Sequence, residues 1–332
     1  MMPATNLRFA TPFAILKRDL KLLARWLSAA GLAMGFAACS GPPVDPPPVT
    51  GLPRVMGKDQ GYTRTIQSEP DTFAIQTGSR LFRRAGSPDI DLVGAIHVAE
   101  KDYYWRLQAR LEKSDIVLYE GVGKKDDSAP EVEVNKTAYG RLASSLGLVV
   151  QKPGIDYSRP NFRRCDLTVE EMEGLLEKEI AGGGSSAIAA REARDELADI
   201  GTAMHGRRWT LNAALGIVRL SPALQEHLRL SLAGVGSDAR EDESTISPRL
   251  DQLIKEDRNR HVVAELQKLL RRERGHRRVA IFYGSAHMPD LERRLKAMGY
   301  SPAGPVTWES AVHAHPYAAG ISADEVKEAL GG

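Results

Sequence analysis

One short plan occurs twice in this chain, and that repetition limits the fold more than any other feature. Leu92-Val93-Gly94-Ala95-Ile96-His97 is an apolar run closed by Gly-x-x-His, and Ile281-Phe282-Tyr283-Gly284-Ser285-Ala286-His287 is another. A helical pattern follows each: Tyr103, Leu107 and Leu111 at i, i+4 and i+8 after the first, and a stretch near 287–298 after the second. Strands alternating with helices imply a largely parallel sheet, because parallel neighbours need a crossover between them.

The rest of the chain fits the same frame. Residues 71–76 and 79–85 read as a strand pair turning at Thr77-Gly78, and DIVLYEGV (115–122) reads as a strand with an acid at its end. Helical patterns cover about 132–147, 168–180, 186–199, 221–232 and 245–273, with Gly182-Gly183-Gly184-Ser185-Ser186 parting the second from the third. RRVAIFYG (277–284) is the clearest strand, and the tail holds one strand and a short helix. No solenoid period is present. The expected fold class is α/β, a mostly parallel sheet flanked by helices, with a helical insertion over about 125–275 between the N- and C-terminal strand motifs.

Open α/β sheets bind ligands outside the carboxyl ends of their strands. His97, Glu120 and His287 all sit at such ends. Two neutral imidazoles and a carboxylate are a common ligand set for Zn, Mn or Fe, and open positions on the ion hold a water activated for attack on a carbonyl. Without metal the same groups serve as general base and orienting acid. Asp257-Arg258-Asn259 lies in a long charged helix, and an Arg turned into the site clamps a substrate carboxylate or an oxyanion. The helix periodicity does not decide which way Arg258 faces.

Plainer readings compete. A lone strand-end His is more often a cap, Glu120 alone is a solvated strand end, and an Arg in a charge-rich helix is more often a surface ion pair. Two histidines in matched contexts favour the site. His313 and His315, in HAHP, fall in the tail. Ser285 lacks the full G-x-S-x-G elbow, and Cys165 has no partner pattern.

The formal charge of +2 misleads, since residues 1–39 hold Arg8, Lys17, Arg18, Lys21 and Arg25 against Asp19 alone. With that segment set aside, no basic excess remains to attract nucleic acid. Those basic residues precede a 13-residue uncharged stretch, WLSAAGLAMGFAA (26–38), shorter than the roughly 20 residues of a membrane span and arranged like a signal peptide. Phe36-Ala37-Ala38-Cys39 resembles a bacterial lipobox, with Phe36 where Leu is usual. The resemblance implies cleavage before Cys39, lipidation of its thiol, and an exported protein anchored to the membrane of the cell envelope. Residues 40–60 follow as a Pro-rich linker, and Pro at the density of SGPPVDPPPVTGLPRV stays extended. The two cysteines, Cys39 and Cys165, are too few for a secreted disulfide framework.

The order GAIH, helix, DIVLYEG, DRN and then YGSAHMPDLERRLKAMGY resembles the TraB/PrgY/GumN family, which includes the Tiki proteases, with erythromycin esterases and the haem-binding lipoprotein ChaN as distant relatives. The family's two Gly-x-x-His motifs fall on Gly94 with His97 and on Gly284 with His287, its glutamate on Glu120, and its arginine on Arg258 followed by Asn259. Ala95 stands where many members have Thr, and Tyr119 precedes the glutamate. The resemblance implies an EreA/ChaN-like domain over about 61–320, with residues 321–332 as a tail. It implies a metal-dependent peptidase or esterase that uses Mn, Zn, Fe or Co. Family relatives also suggest a non-catalytic lipoprotein binding haem, metal or a peptide, or a protein that sequesters a peptide pheromone; in each case the partner is a peptide or small molecule.

Overall fold

The computed structural model describes residues 42–56, 61–121, 138–203, 218–219, 221–234 and 246–330. The leader, with Cys39, and part of the expected insertion lie outside the described residues. No helix among the described residues is long and apolar enough to cross a membrane.

The fold is α/β, built on a mixed nine-stranded sheet. Its strands are β1 (Arg54–Met56), β2 (Thr63–Glu69), β3 (Thr72–Arg83), β4 (Asp89–Ala95), β6 (Ile116–Tyr119), β8 (Phe162–Arg164), β9 (Arg278–Gly284), β10 (Ser301–Pro302) and β11 (Thr307–Ala314). Two short strands, β5 (Val98–Ala99) and β7 (Val149–Val150), pair apart from it. The half of the sheet in the order β4-β9-β6-β8 is parallel, and β1, β2, β3, β10 and β11 add antiparallel strands beside β4. β1 comes from the end of the expected linker and pairs with β2, while upstream Val44 N–H donates to Tyr317 O at 2.9 Å.

Side chains on the parallel strands alternate between two apolar cores. Val93, Val117, Ala280 and Phe282 face one side, where they meet Tyr103, Leu107 and Leu111 of α1 (Lys101–Leu111). Leu92, Leu118, Ile281 and Tyr283 face the other, against Val262 and Leu266 of α6 (Arg258–Arg272) and Leu291 and Leu295 of α7 (Met288–Ala297). Period-two alternation with both faces apolar is what a strand covered by helices on each side requires. Between β6 and β8 lies α2 (Ala138–Ser145). After β8 come α3 (Val169–Gly182), α4 (Gly184–Ala203) and α5 (Pro222–Gly234), and α8 (Ala323–Ala329) closes the chain. α3 and α4 bury Met172, Leu176, Ala190 and Leu197 with Leu250 and Leu253 in a cluster of their own. Their break falls where expected: Gly183 and Gly184 take φ of +72° and +75°, a region that side chains disfavour.

The strand pair expected around Thr77-Gly78 is instead one twelve-residue strand, β3. Gly78 is there for close packing: a Cβ would lie 2.6 Å from Val306 Cγ1 and 3.1 Å from Tyr62 Cα. Glycine marks a close backbone approach as readily as a turn. One edge of β3 carries β2 up to Thr77 and β4 from Ser79 onward, and β11 and β10 run along the other.

Candidate functional site

The register of the parallel strands brings their ends together. Ala95 of β4 lies opposite Gly284 of β9, and Tyr119 of β6 lies opposite Phe282. Neighbouring strands are about 4.8 Å apart, so residues just past these ends must crowd one another. His97 follows β4 and Glu120 follows β6, while His287 closes the 3-10 turn Ser285–His287 after β9. Gly284 is at the centre. A Cβ placed on it would lie 3.3 Å from Glu120 Oε2, 3.7 Å from His287 Cδ2 and 3.9 Å from His97 Nε2. The three expected side chains therefore surround one point, and the glycine keeps that point open.

Arg258 faces the site. It is fully buried, its Nη2 donates to Glu120 Oε1 at 2.6 Å, and Nε and Nη2 grip Asp166 at 2.9 and 2.7 Å. The helix reaches this geometry through a π-helical turn, Leu253–Asp257, directly before Arg258. The extra residue in that turn shifts the phase of the helix, so Asp257, Arg258 and Asn259 are buried in succession. A guanidinium held by two carboxylates is not free to clamp a substrate carboxylate, and that part of the expectation is revised. Its charge acts on Glu120: burial works against ionisation, but Arg258 overcomes it and holds the carboxyl far below its usual range. Asp166 and Glu120 likewise keep Arg258 charged against its own burial.

Asp166 was not legible beforehand. It follows β8, a strand of only three residues, and arrives at the same edge as the fourth strand end. Its side chain is fully buried, and it also accepts from Gly121 N at 2.9 Å and Leu167 N at 2.9 Å. The signal available was an acid after Phe162-Arg163-Arg164-Cys165, placed as Glu120 is after its own strand.

The protonation state of His287 follows from its partners. Asn259 Nδ2 donates to Asp290 Oδ2 at 2.8 Å, and a carboxylate only accepts. Burial opposes ionisation of Asp290, yet hydrogen bonds from Arg294 and Asn259 hold its pKa below the usual range. Asn259 Oδ1 must then face His287 Nδ1, 2.8 Å away, which makes that nitrogen the N–H. Nε2 is left with its lone pair, buried and without a hydrogen-bond partner, 3.8 Å from Glu120 Oε1. Burial lowers the pKa of His287 to about 4, Arg258 adding to the effect and Glu120 opposing it, so the ring is neutral near pH 7. His97 is partly exposed, and burial lowers its pKa in the same direction.

The donor set fits a divalent transition metal in kind. His287 Nε2 is an orphaned buried acceptor, the space above Gly284 is a cradle that a Cβ would fill, and an amide oriented by a carboxylate fixes the ligand tautomer. Glu120 would use the lone pairs left after its bonds to Arg258 and to Gly284 N at 2.6 Å. Among the described residues no three such side chains already stand at ligand spacing.

The other candidates lie elsewhere. His313 is on β11, bonded to Glu100 at 2.7 Å, in a tail that is well structured. Ser285 accepts from Thr63 at 2.8 Å, and the buried thiol of Cys165 is pushed up to about 12 by its burial, so it is not a nucleophile. No family model, curated protein or solved structure matches the chain.

Proposed function

We propose that this pocket is the active site of a metal-dependent hydrolase of the TraB/GumN kind, cleaving a peptide or ester outside the cytoplasm. The observation that carries the reading is His287 Nε2, a neutral, buried lone pair without a partner that faces Glu120 beside the opening over Gly284. His97, Glu120 and His287 would hold Mn, Zn, Fe or Co, which when bound supplies an acidified water and a Lewis acid for the scissile carbonyl.

The chain's own residues do the rest. Asn259 and Asp290 keep His287 in one tautomer, with the Nε2 lone pair directed to the metal site. Arg258 and Asp166 hold Glu120 ionised and in place. Arg258 and the two carboxylates leave one excess negative charge in a buried site, which favours one further cation or proton there. The proposed domain is EreA/ChaN-like, with the helices before β9 as an insertion over one end of the sheet. The leader, residues 1–39, exports the chain, and lipidated Cys39 anchors it.

The test is metal content by mass spectrometry together with turnover on peptide and ester panels. The double variant His97→Ala, His287→Ala is expected to lose both. Unchanged metal content and turnover in that variant defeats the reading; metal or haem binding without turnover replaces it with a binding lipoprotein. Labelling with a palmitate analogue tests the anchor, and an unlabelled wild-type chain rules it out.

A further inference from the structure

His97 and Gln151 flank the short β5–β7 pair. β5 and β7 pair with Val98 opposite Val150; just outside that pair His97 lies in a bend and Gln151 opens the short helix Gln151–Gly154, and Gln151 N–H donates to His97 O at 2.8 Å. The side chain of Gln151 lies within hydrogen-bonding reach of the His97 ring. Gln151 is 7% exposed. Its Nε2 donates to Tyr157 OH at 2.9 Å, and Tyr157 is packed against Tyr119 with ring centroids 4.7 Å apart. The amide is thereby held with Oε1 buried and without a hydrogen-bond partner.

We propose that Gln151 is the positioning residue of His97: its amide oxygen takes the ring N–H of His97 and leaves the other ring nitrogen bare toward the pocket. An amide oxygen only accepts, and a buried acceptor left without a donor destabilises the fold. The imidazole of His97, within reach of that amide, is the donor that relieves this cost. The two Gly-x-x-His imidazoles then share one device. Asn259, from α6, sets His287, and Gln151, from the turn after β7, sets His97. Both leave a lone pair aimed at the space over Gly284.

The test reads tautomers. The full chain is labelled with ¹⁵N-histidine and held at pH 7.5 with a chelator. Among its eight histidines, the His97 and His287 ring signals are assigned by their loss in His97→Gln and His287→Gln. The wild type should show one protonated and one bare nitrogen on each ring. Gln151→Met, similar in size but without the oxygen, should lose most of the splitting at His97 and none at His287. Gln151→Glu should restore it. An unchanged His97 splitting in Gln151→Met overturns the assignment and leaves Oε1 to a substrate N–H; equal loss at both rings, or failure of Glu to restore, reduces Gln151 to a packing residue. None of these readouts uses turnover, so they are independent of whether the pocket hydrolyses or only binds.

Discussion

The two Gly-x-x-His segments begin alike and end differently. Gly94 is a packing glycine: a Cβ there would lie 2.8 Å from Gly78 O and 3.2 Å from Met288 Cγ. Gly284 is a site glycine whose missing Cβ faces Glu120, His287 and His97. The histidines differ as well. His287 is fully buried in a 3-10 turn and tied through Asn259 to Asp290, whereas His97 is partly exposed beside a two-residue strand. Identical spacing therefore produced one fully buried, hydrogen-bonded half and one partly exposed half. A motif specifies where its residues fall along a strand end, and the neighbouring elements decide what each of them does.

The sharpest way to break this comparison is to remove the group that braces the rigid half. Arg258→Met should cost about 3–5 kcal/mol in urea unfolding, because Glu120 and Asp166 would remain buried with no countercharge. A loss near zero would mean the carboxylates are solvated and the described burial is wrong. His287→Ala should cost about 2–3 kcal/mol, since it strands Asn259 Oδ1 and leaves a cavity, while His97→Ala should cost about 1 kcal/mol or less. Equal values for the two would erase the asymmetry.

The glycines test the same point from the backbone. Gly94→Ala should cost about 1–3 kcal/mol, because the atom it strikes is a backbone carbonyl. Gly284→Ala meets only the tip of Glu120 at 3.3 Å and has an allowed φ of −52°, so its stability loss should be smaller, with the proposed metal binding and turnover lost instead.

The smallest expected effect is on pH dependence. His287 is neutral when folded, its pKa lowered from 6.5 to about 4, so the unfolded chain takes up the proton first as pH falls. Stability from this group is complete above 6.5 and declines between 6.5 and about 4; Glu120, held low, contributes a decline only below 4.5. Urea midpoints at pH 7 and pH 5 should differ less in His287→Gln than in the wild type. An identical difference would place the acid sensitivity elsewhere.

Much of this architecture was legible before any coordinates. The apolar runs marked β4, β6 and β9, helical periodicity marked α1, α3, α4, α5 and α7 to within a few residues, and the run expected over about 245–273 covers α6 together with the short helix and π-helical turn before it. Period-two and 3.6-residue patterns record which faces are buried, so they survive in a single sequence. Gly78 was misread because glycine at a close contact and glycine at a turn have the same letter. Asp166 was missed because a three-residue strand is too short to show a period. Arg258 was found but its direction was not, since the π-helical turn before it changes the helix phase without a sequence mark.

By itself, the sequence determined that three strand ends carry His97, Glu120 and His287, and that helices cover those strands. Only the tertiary structure decided that β9 lies between β4 and β6, that Gly284 is the open floor beneath all three side chains, and that Arg258 is spent on Asp166 and Glu120. The division has a physical cause. Strand and helix patterns are local records of burial, while strand order, the state of a buried charge and the tautomer of a histidine depend on groups brought together from distant parts of the chain.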